Sequence, residues 1–166
     1  MKVIKFIVLV VITAIVSRFF ELSFVKEAHF DLITVNSVLI GFLFTSLSIL
    51  LGFLNETIVK FFEEAGALKD VYKSIEKGIE YSLFSIIMSF VNLMIVEKYI
   101  QLNIILKYFY GLEINFIIVA LYFLFKTLYY VKIIVNSINV SKKKESDEEK
   151  ANKKLKDTIE KYSSNK

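Results

Sequence analysis

The chain has 166 residues, of which 55% are hydrophobic, and it contains no cysteine, no proline and a single histidine. A soluble domain of this size could not bury so much apolar surface, whereas lipid could act as its solvent. The lack of cysteine excludes disulfides and thiolate metal sites, and the single histidine excludes His-pair zinc motifs. The net charge of +4 bears on membrane orientation and lipid contact rather than on nucleic acid, which is not an expected partner.

The composition predicts an all-α integral membrane protein: a four-helix bundle with a cytoplasmic helical loop and a charged C-terminal tail. The predicted transmembrane domain covers residues 1–140, and the tail covers residues 141–166. The predicted spans lie at about residues 3–20, 33–54, 81–97 and 114–135, and the helical loop lies at 55–80. Each span is close in length to the roughly 20 apolar residues that a helix needs to cross a bilayer.

The first span follows a short basic segment and is brief enough to resemble a signal peptide. No small-x-small cleavage site follows it, so we expect it to be retained, with Lys5 and Arg18 reaching opposite surfaces. The polar segment after it contains His29 beside Glu27 and Asp31. A pH-sensitive or metal-binding cluster is one interpretation of these residues. We favour a solvated loop, because a lone histidine is a poor site.

The second span carries a stripe of small and hydroxyl residues on one helical face. The stripe comprises Thr34, Ser37, Gly41, Thr45, Ser48 and Gly52, which follow one another at steps of three or four residues. Such a face lets a second helix approach closely, and van der Waals packing then holds the pair. Asn36 lies off this stripe, near the outer end of the span, where we expect the membrane interface to solvate it.

The segment 55–80 has apolar residues at helical spacing with charges between them, and we expect Gly66 to divide it into two helices. The third span repeats the stripe of the second, with Ser82, Ser85, Ser89 and Asn92 on one face. We interpret the two stripes as the contact between spans two and three, packed as a hairpin. An oligomer interface or a water-filled pore is the alternative.

The fourth span has an ambiguous register. A span at 114–135 contains Lys126 and Lys132. A span that starts near Leu106 frees Lys126 but buries Glu113. We favour the first register, because a lysine stem can reach the surface from a greater depth than a glutamate.

The tail is rich in lysine, and we expect it to be soluble. Ser146 and Glu149 resemble a capping box, which predicts the start of a frayed helix. Candidates for contact with anionic lipid or a partner are Lys142, Lys143 and Lys144.

Lysine and arginine are concentrated at the N-terminus, in segment 55–80 and in the tail. With four spans, these segments fall on one side, which predicts a multi-pass protein of the inner (cytoplasmic) membrane with both termini in the cytoplasm.

The sequence contains no phosphate-binding loop, nucleophile elbow or zinc-protease motif. We therefore assign no catalytic, cofactor-binding or metal-binding residue and do not expect an enzyme. Spans two and three contain no ionisable residue at mid-membrane, which disfavours an ion-coupled transporter.

The segment ITVNSVLIGFLFTSLSILLGFL, with the amphipathic segment and serine-rich span that follow it up to residue 96, resembles small bacterial membrane proteins. This architecture is similar to that of the four-span membrane components of anti-phage systems, such as the membrane subunit of Kiwa. The resemblance implies a protein that senses or perturbs the cytoplasmic membrane together with a soluble partner. It carries over no functional residue. The alternatives are a structural or immunity-type protein that binds another membrane protein, and a small holin-like pore formed by a homo-oligomer.

Overall fold

The computed structural model describes residues 2–19, 22–54, 57–99 and 102–163. In chain order the helices are α1 (Lys2–Phe19), α2 (Leu22–Gly52), α3 (Thr57–Glu64), α4 (Ala67–Val91), α5 (Glu97–Tyr99) and α6 (Asn103–Ser163), with a π-helical turn at Asn92–Val96 between α4 and α5. A helix pairs its backbone groups within itself, and no proline interrupts the long apolar runs. The all-α prediction is confirmed for the described residues.

Among the described residues, three helices are long and apolar enough to cross a membrane, at Phe24–Gly52, Ala67–Val96 and Asn103–Lys156. They overlap the second and third predicted spans almost completely and contain the fourth. The first predicted span coincides with α1, whose side chains are described only for residues 10–18. The first crossing and the four-span topology therefore stay predictions.

Gly66 separates α3 from α4, as the sequence predicts. Its φ of 73° lies in the left-handed region that glycine adopts without steric strain. Its N–H donates to the Glu63 carbonyl oxygen at 2.9 Å, which closes the last turn of α3. The chain then begins α4 at Ala67.

Helix α6 continues through the predicted fourth span and through most of the predicted tail. The sequence from 112 to 163 contains neither glycine nor proline, so no residue in it favours a break. The capping-box prediction at Ser146 and Glu149 is wrong, because both residues lie inside this helix.

The core lies between α2, α4 and α6, which pack side by side. Gly78 of α4 lies against both neighbours: a Cβ placed there would be 2.7 Å from Leu43 Cδ1 and 3.4 Å from Phe123 Cβ. Further along α4, Ser85 Oγ donates to the Glu113 carbonyl oxygen at 3.1 Å. Residue numbers rise along α4 as they fall along α6, so these two helices are antiparallel.

Helix α1 packs on α6 through small residues. Asn115 Nδ2 donates to Thr13 Oγ1 at 3.0 Å. At Gly111, a Cβ would lie 2.9 Å from Ser17 Cβ and 3.1 Å from the Thr13 carbonyl oxygen. The absence of a side chain at Gly111 is therefore what lets α1 approach the backbone of α6 so closely.

Candidate functional site

The small-residue stripe of α2 faces away from the other helices of the chain. All six of its residues are exposed: Thr34, Ser37, Gly41, Thr45, Ser48 and Gly52. Its hydroxyls donate to carbonyl oxygens four residues earlier in their own helix. Among the residues that the structure describes, nothing lies within 4 Å of a Cβ placed at Gly41. Helices α2 and α4 do pack against each other, as Asn36 and Ser85 show. The hairpin interpretation is wrong in placing this stripe at their contact, and the alternative of an oligomer interface stays a prediction.

The corresponding stripe on α4 and the turn that follows it is buried. It consists of Ser82, Ser85, Ser89 and Asn92. It meets a different face of α2, on which Asn36 donates to Ser85 Oγ at 3.0 Å. Asn36 is itself fully buried, so the prediction that the membrane interface solvates it is wrong. A hydroxyl can bond to its own helix, whereas a carboxamide has more polar atoms than its own helix can satisfy. On the buried face the Asn36 amide gains Ser85 Oγ as a second acceptor, beside the Leu32 carbonyl oxygen of its own helix.

Glu113 lies at the centre of a buried polar cluster between α2, α4 and α6. This Glu113 cluster consists of His29, Asn36, Ser85, Ser89, Asn92 and Glu113, all of them buried. Asn92 Nδ2 donates to Glu113 Oε2 at 2.6 Å, and Ser89 Oγ donates to Oε1. His29 Nδ1 lies 2.9 Å from Oε2 and 3.1 Å from Oε1. Each carboxylate oxygen therefore has one partner from α2 and one from α4 or the π-helical turn that follows it.

Ser85 extends the cluster from the carboxylate to the backbone of α6. Its hydroxyl donates to the Glu113 carbonyl oxygen at 3.1 Å and accepts from Asn36 Nδ2. The Asn36 amide also donates to the Leu32 carbonyl oxygen at 2.8 Å. One continuous set of hydrogen bonds therefore joins α2, α4 and α6.

The structure corrects two predictions about the ionisable members of this cluster. His29 lies within α2 rather than in a solvated loop and is only 1% exposed. Its ring packs edge to face with the Tyr110 ring, with 5.1 Å between the ring centres. The favoured register of the fourth span, 114–135, leaves Glu113 outside the span. In the structure the Glu113 side chain is buried, with an exposed fraction of 0%. That register assumed that a carboxylate must reach water. A carboxylate can instead be retained inside when several hydrogen-bond donors satisfy it.

The helix changes from α to π geometry at the end of α4, where it contributes Asn92 to the cluster. The π-helical turn begins at Asn92, whose N–H donates to the carbonyl oxygens of Met88 and Ser89. Single π turns widen a helix locally and are common at functional sites. Here the turn starts at the residue whose carboxamide contacts Glu113.

The Glu113 cluster lacks the order of groups that a Ser-His-acid triad requires. In a Ser-His-acid triad the histidine lies between the nucleophile and the acid. Here Ser89 and His29 both contact Glu113 instead. Within the described part of the chain, no three His, Cys, Asp or Glu side chains are grouped so that they could hold a metal ion.

The predicted lipid or partner contacts lie far from this cluster on the same helix. Lys142, Lys143 and Lys144 are exposed on α6. At 1.5 Å per helical residue, they lie about 45 Å along the helix from Glu113. The structure therefore separates a buried polar site from an exposed basic one.

No protein-family model matches this chain, and no curated protein or solved structure is found to be similar to it.

Proposed function

We propose that this chain is a non-enzymatic integral membrane protein that senses or perturbs the cytoplasmic membrane and acts with a soluble partner in anti-phage defence. The observation that supports this most is the continuity of α6 from Asn103 to Ser163. The same helix carries Glu113 among apolar helices and an exposed charged segment beyond them. One rigid element thus joins an intramembrane site to a region that a soluble protein can reach.

The Glu113 cluster is the part of the bundle that can respond to the membrane. Ionisable groups placed within membrane-spanning segments are rare and serve as proton or voltage-responsive sites. The contact between His29 of α2 and the Glu113 carboxylate of α6 is one of the attractions that hold α6 against α2. A change in that contact alters the tilt or rotation of α6.

The C-terminal part of α6 can carry this change out of the membrane. Residues 141–163 form about 35 Å of helix at 1.5 Å per residue. The described side chains at 142–156 are all exposed, and a basic run at 142–144 is followed by acidic residues at 147–149. A solvated helix with blocks of opposite charge suits recognition by a soluble partner more than packing into this bundle.

Breaking α6 beyond the bundle tests this proposal. We expect Lys150→Pro to reduce protection against phage by at least 10-fold, because proline in a helix interior costs about 3 kcal/mol and uncouples the two segments. Lys150→Ala removes the same exposed side chain and should keep full protection. The measurement is plaque formation on cells that carry the gene with its native neighbours, with membrane levels of each variant checked by immunoblot.

Full protection by Lys150→Pro would contradict coupling through α6. If the intact gene with its neighbours gave no protection, the defence proposal would be overturned, and a neighbouring bacteriocin gene would favour the immunity-type alternative.

A second candidate function, a holin-like pore formed by several copies, is favoured by the exposed hydroxyl stripe of α2. If copies meet through this stripe, Thr45→Cys should give disulfide-linked dimers, since the chain has no other cysteine. Leu43→Cys, on the buried face of the same helix, should give none. Induction without infection should then also dissipate the membrane potential of the cells. Absence of both dimers and depolarisation would exclude this pore.

A further inference from the structure

A basic groove runs between α4 and α6, away from the Glu113 cluster. It encloses about 330 Å³. Its lining comprises Asp70, Lys73, Ser74, Lys77 and Tyr81 of α4 with Phe123 and Lys126 of α6. The α4 residues follow one another at steps of one, three or four, so they occupy one helical face.

The groove changes from charged to aromatic along its length. Asp70 and Lys73 lie at one end, and the Tyr81 ring stacks on the Phe123 ring at the other, with 5.8 Å between ring centres and 8° between planes. From Asp70 to Tyr81 the face spans about 16 Å of helix. Exposed Phe84 follows one turn beyond Tyr81 and continues the apolar surface.

Cations exceed anions in this groove. Three ammonium groups and one carboxylate line it. Lys77 is paired with Glu80 on its own helix. Among the residues that the structure describes, no carboxylate lies within 4.0 Å of Lys73 or Lys126, and Lys126 Nζ lies 5.7 Å from the centre of the Tyr130 ring. Lys73 and Lys126 therefore leave two ammonium groups for an external anion.

We propose that this basic groove binds the phosphate of an anionic lipid headgroup, with an acyl chain along Tyr81, Phe123 and Phe84. Basic pockets between transmembrane helices on the cytoplasmic side are suited to such headgroups. A free phosphate would use the lysines but not the aromatic end. The proposal rests on the membrane placement in the proposed function, and it assigns the anionic-lipid site to this groove rather than to Lys142, Lys143 and Lys144.

The test is lipid retention by the full chain, purified in detergent and measured by native mass spectrometry. Phosphatidylglycerol, phosphatidylcholine and inorganic phosphate are the probes. We expect one retained phosphatidylglycerol. Lys73→Gln/Lys126→Gln should bind it about 30-fold more weakly, because each lysine near an anionic lipid contributes about 1 kcal/mol of attraction. Lys142→Gln/Lys143→Gln removes the same charge from the exposed segment and should bind like the unmodified chain.

A conservative variant separates a binding role from a structural one. Lys73→Arg/Lys126→Arg keeps both charges and should retain the lipid, with the melting temperature of each variant reported beside its binding. Equal weakening by the two glutamine pairs, equal binding of phosphatidylcholine, or equal binding of inorganic phosphate would each overturn the groove as a lipid site. Extraction of the chain from membranes by alkaline carbonate would refute the proposed membrane placement itself, whereas an embedded chain without lipid preference would refute only the groove.

Discussion

Replacing Glu113 with alanine should destabilise the bundle more than removal of any exposed carboxylate. The substitution removes the acceptor of Ser89, Asn92 and His29, all of which stay buried. Removing one partner of a buried pair typically costs about 3–5 kcal/mol, because the remaining groups lose their compensation. The measurement is the unfolding midpoint of the full chain in detergent during SDS titration, followed by circular dichroism.

Two further variants show whether the effect comes from the Glu113 cluster. In the Glu113→Ala background, His29→Ala should lower the free energy of unfolding much less than it does in the unmodified chain. The reason is that the effects of substitutions at contacting residues are not additive. Glu145→Ala removes an exposed carboxylate from the same helix and should shift the unfolding midpoint little. Equal shifts for Glu113→Ala and Glu145→Ala would mean that the cluster does not form.

Sequence patterns predicted the helical class and one helix boundary well, because these follow from local chemistry. Long apolar runs without proline indicate helices, and Gly66 supplies the left-handed conformation that a sharp break requires. Helices α4 and α6 continue without a break past residues 80 and 140, where the predicted helical loop and the predicted transmembrane domain end, so these two limits stay predictions. They were inferred from changes in polarity, and a helix can cross from an apolar to a polar environment without any change in its backbone.

The face of α2 that packs was predicted wrongly, since small residues were taken as the sign of a helix contact. In a helix that is apolar all round, hydrophobicity does not distinguish the core from the lipid-facing surface. Polar side chains are more informative, because a carboxamide or an imidazole needs a partner. Asn36 and His29 accordingly lie on the buried face, while the hydroxyls of the stripe bond to their own helix.

The buried faces of α2 and α6 both follow steps of three and four residues. On α2 the buried side chains recur at seven-residue intervals as His29, Asn36, Leu43 and Leu50. On α6 the same alternation includes Tyr110, Glu113, Ile117, Ala120 and Leu124. This spacing is that of helices packed nearly parallel or antiparallel with interlocking side chains. Glu113 lies on this face of α6, but the exposed stripe of α2 has the same spacing. No single-sequence pattern therefore identifies Glu113 as buried or His29 as its partner.

The second large effect is expected at Gly111, where α1 contacts α6. Gly111→Leu places a side chain where even a Cβ would be 2.9 Å from Ser17 Cβ and 3.1 Å from the Thr13 carbonyl oxygen. Overpacking of this kind costs about 1–3 kcal/mol, and backbone atoms of α1 cannot move aside as a flexible side chain could. We therefore expect α1 to separate from α6 while α2, α4 and α6 stay together.

Cysteine crosslinking measures this separation directly, because the chain has no cysteine of its own. Thr13→Cys/Asn115→Cys replaces a hydrogen-bonded pair and should crosslink efficiently in the otherwise unmodified chain. Adding Gly111→Leu should abolish that crosslink. Adding Gly41→Leu should leave it intact, because a Cβ at Gly41 meets nothing within 4 Å. A crosslink that survives Gly111→Leu would show that α1 does not depend on Gly111 to pack, and a loss with Gly41→Leu would show that the exposed stripe of α2 has a partner that the single chain does not contain.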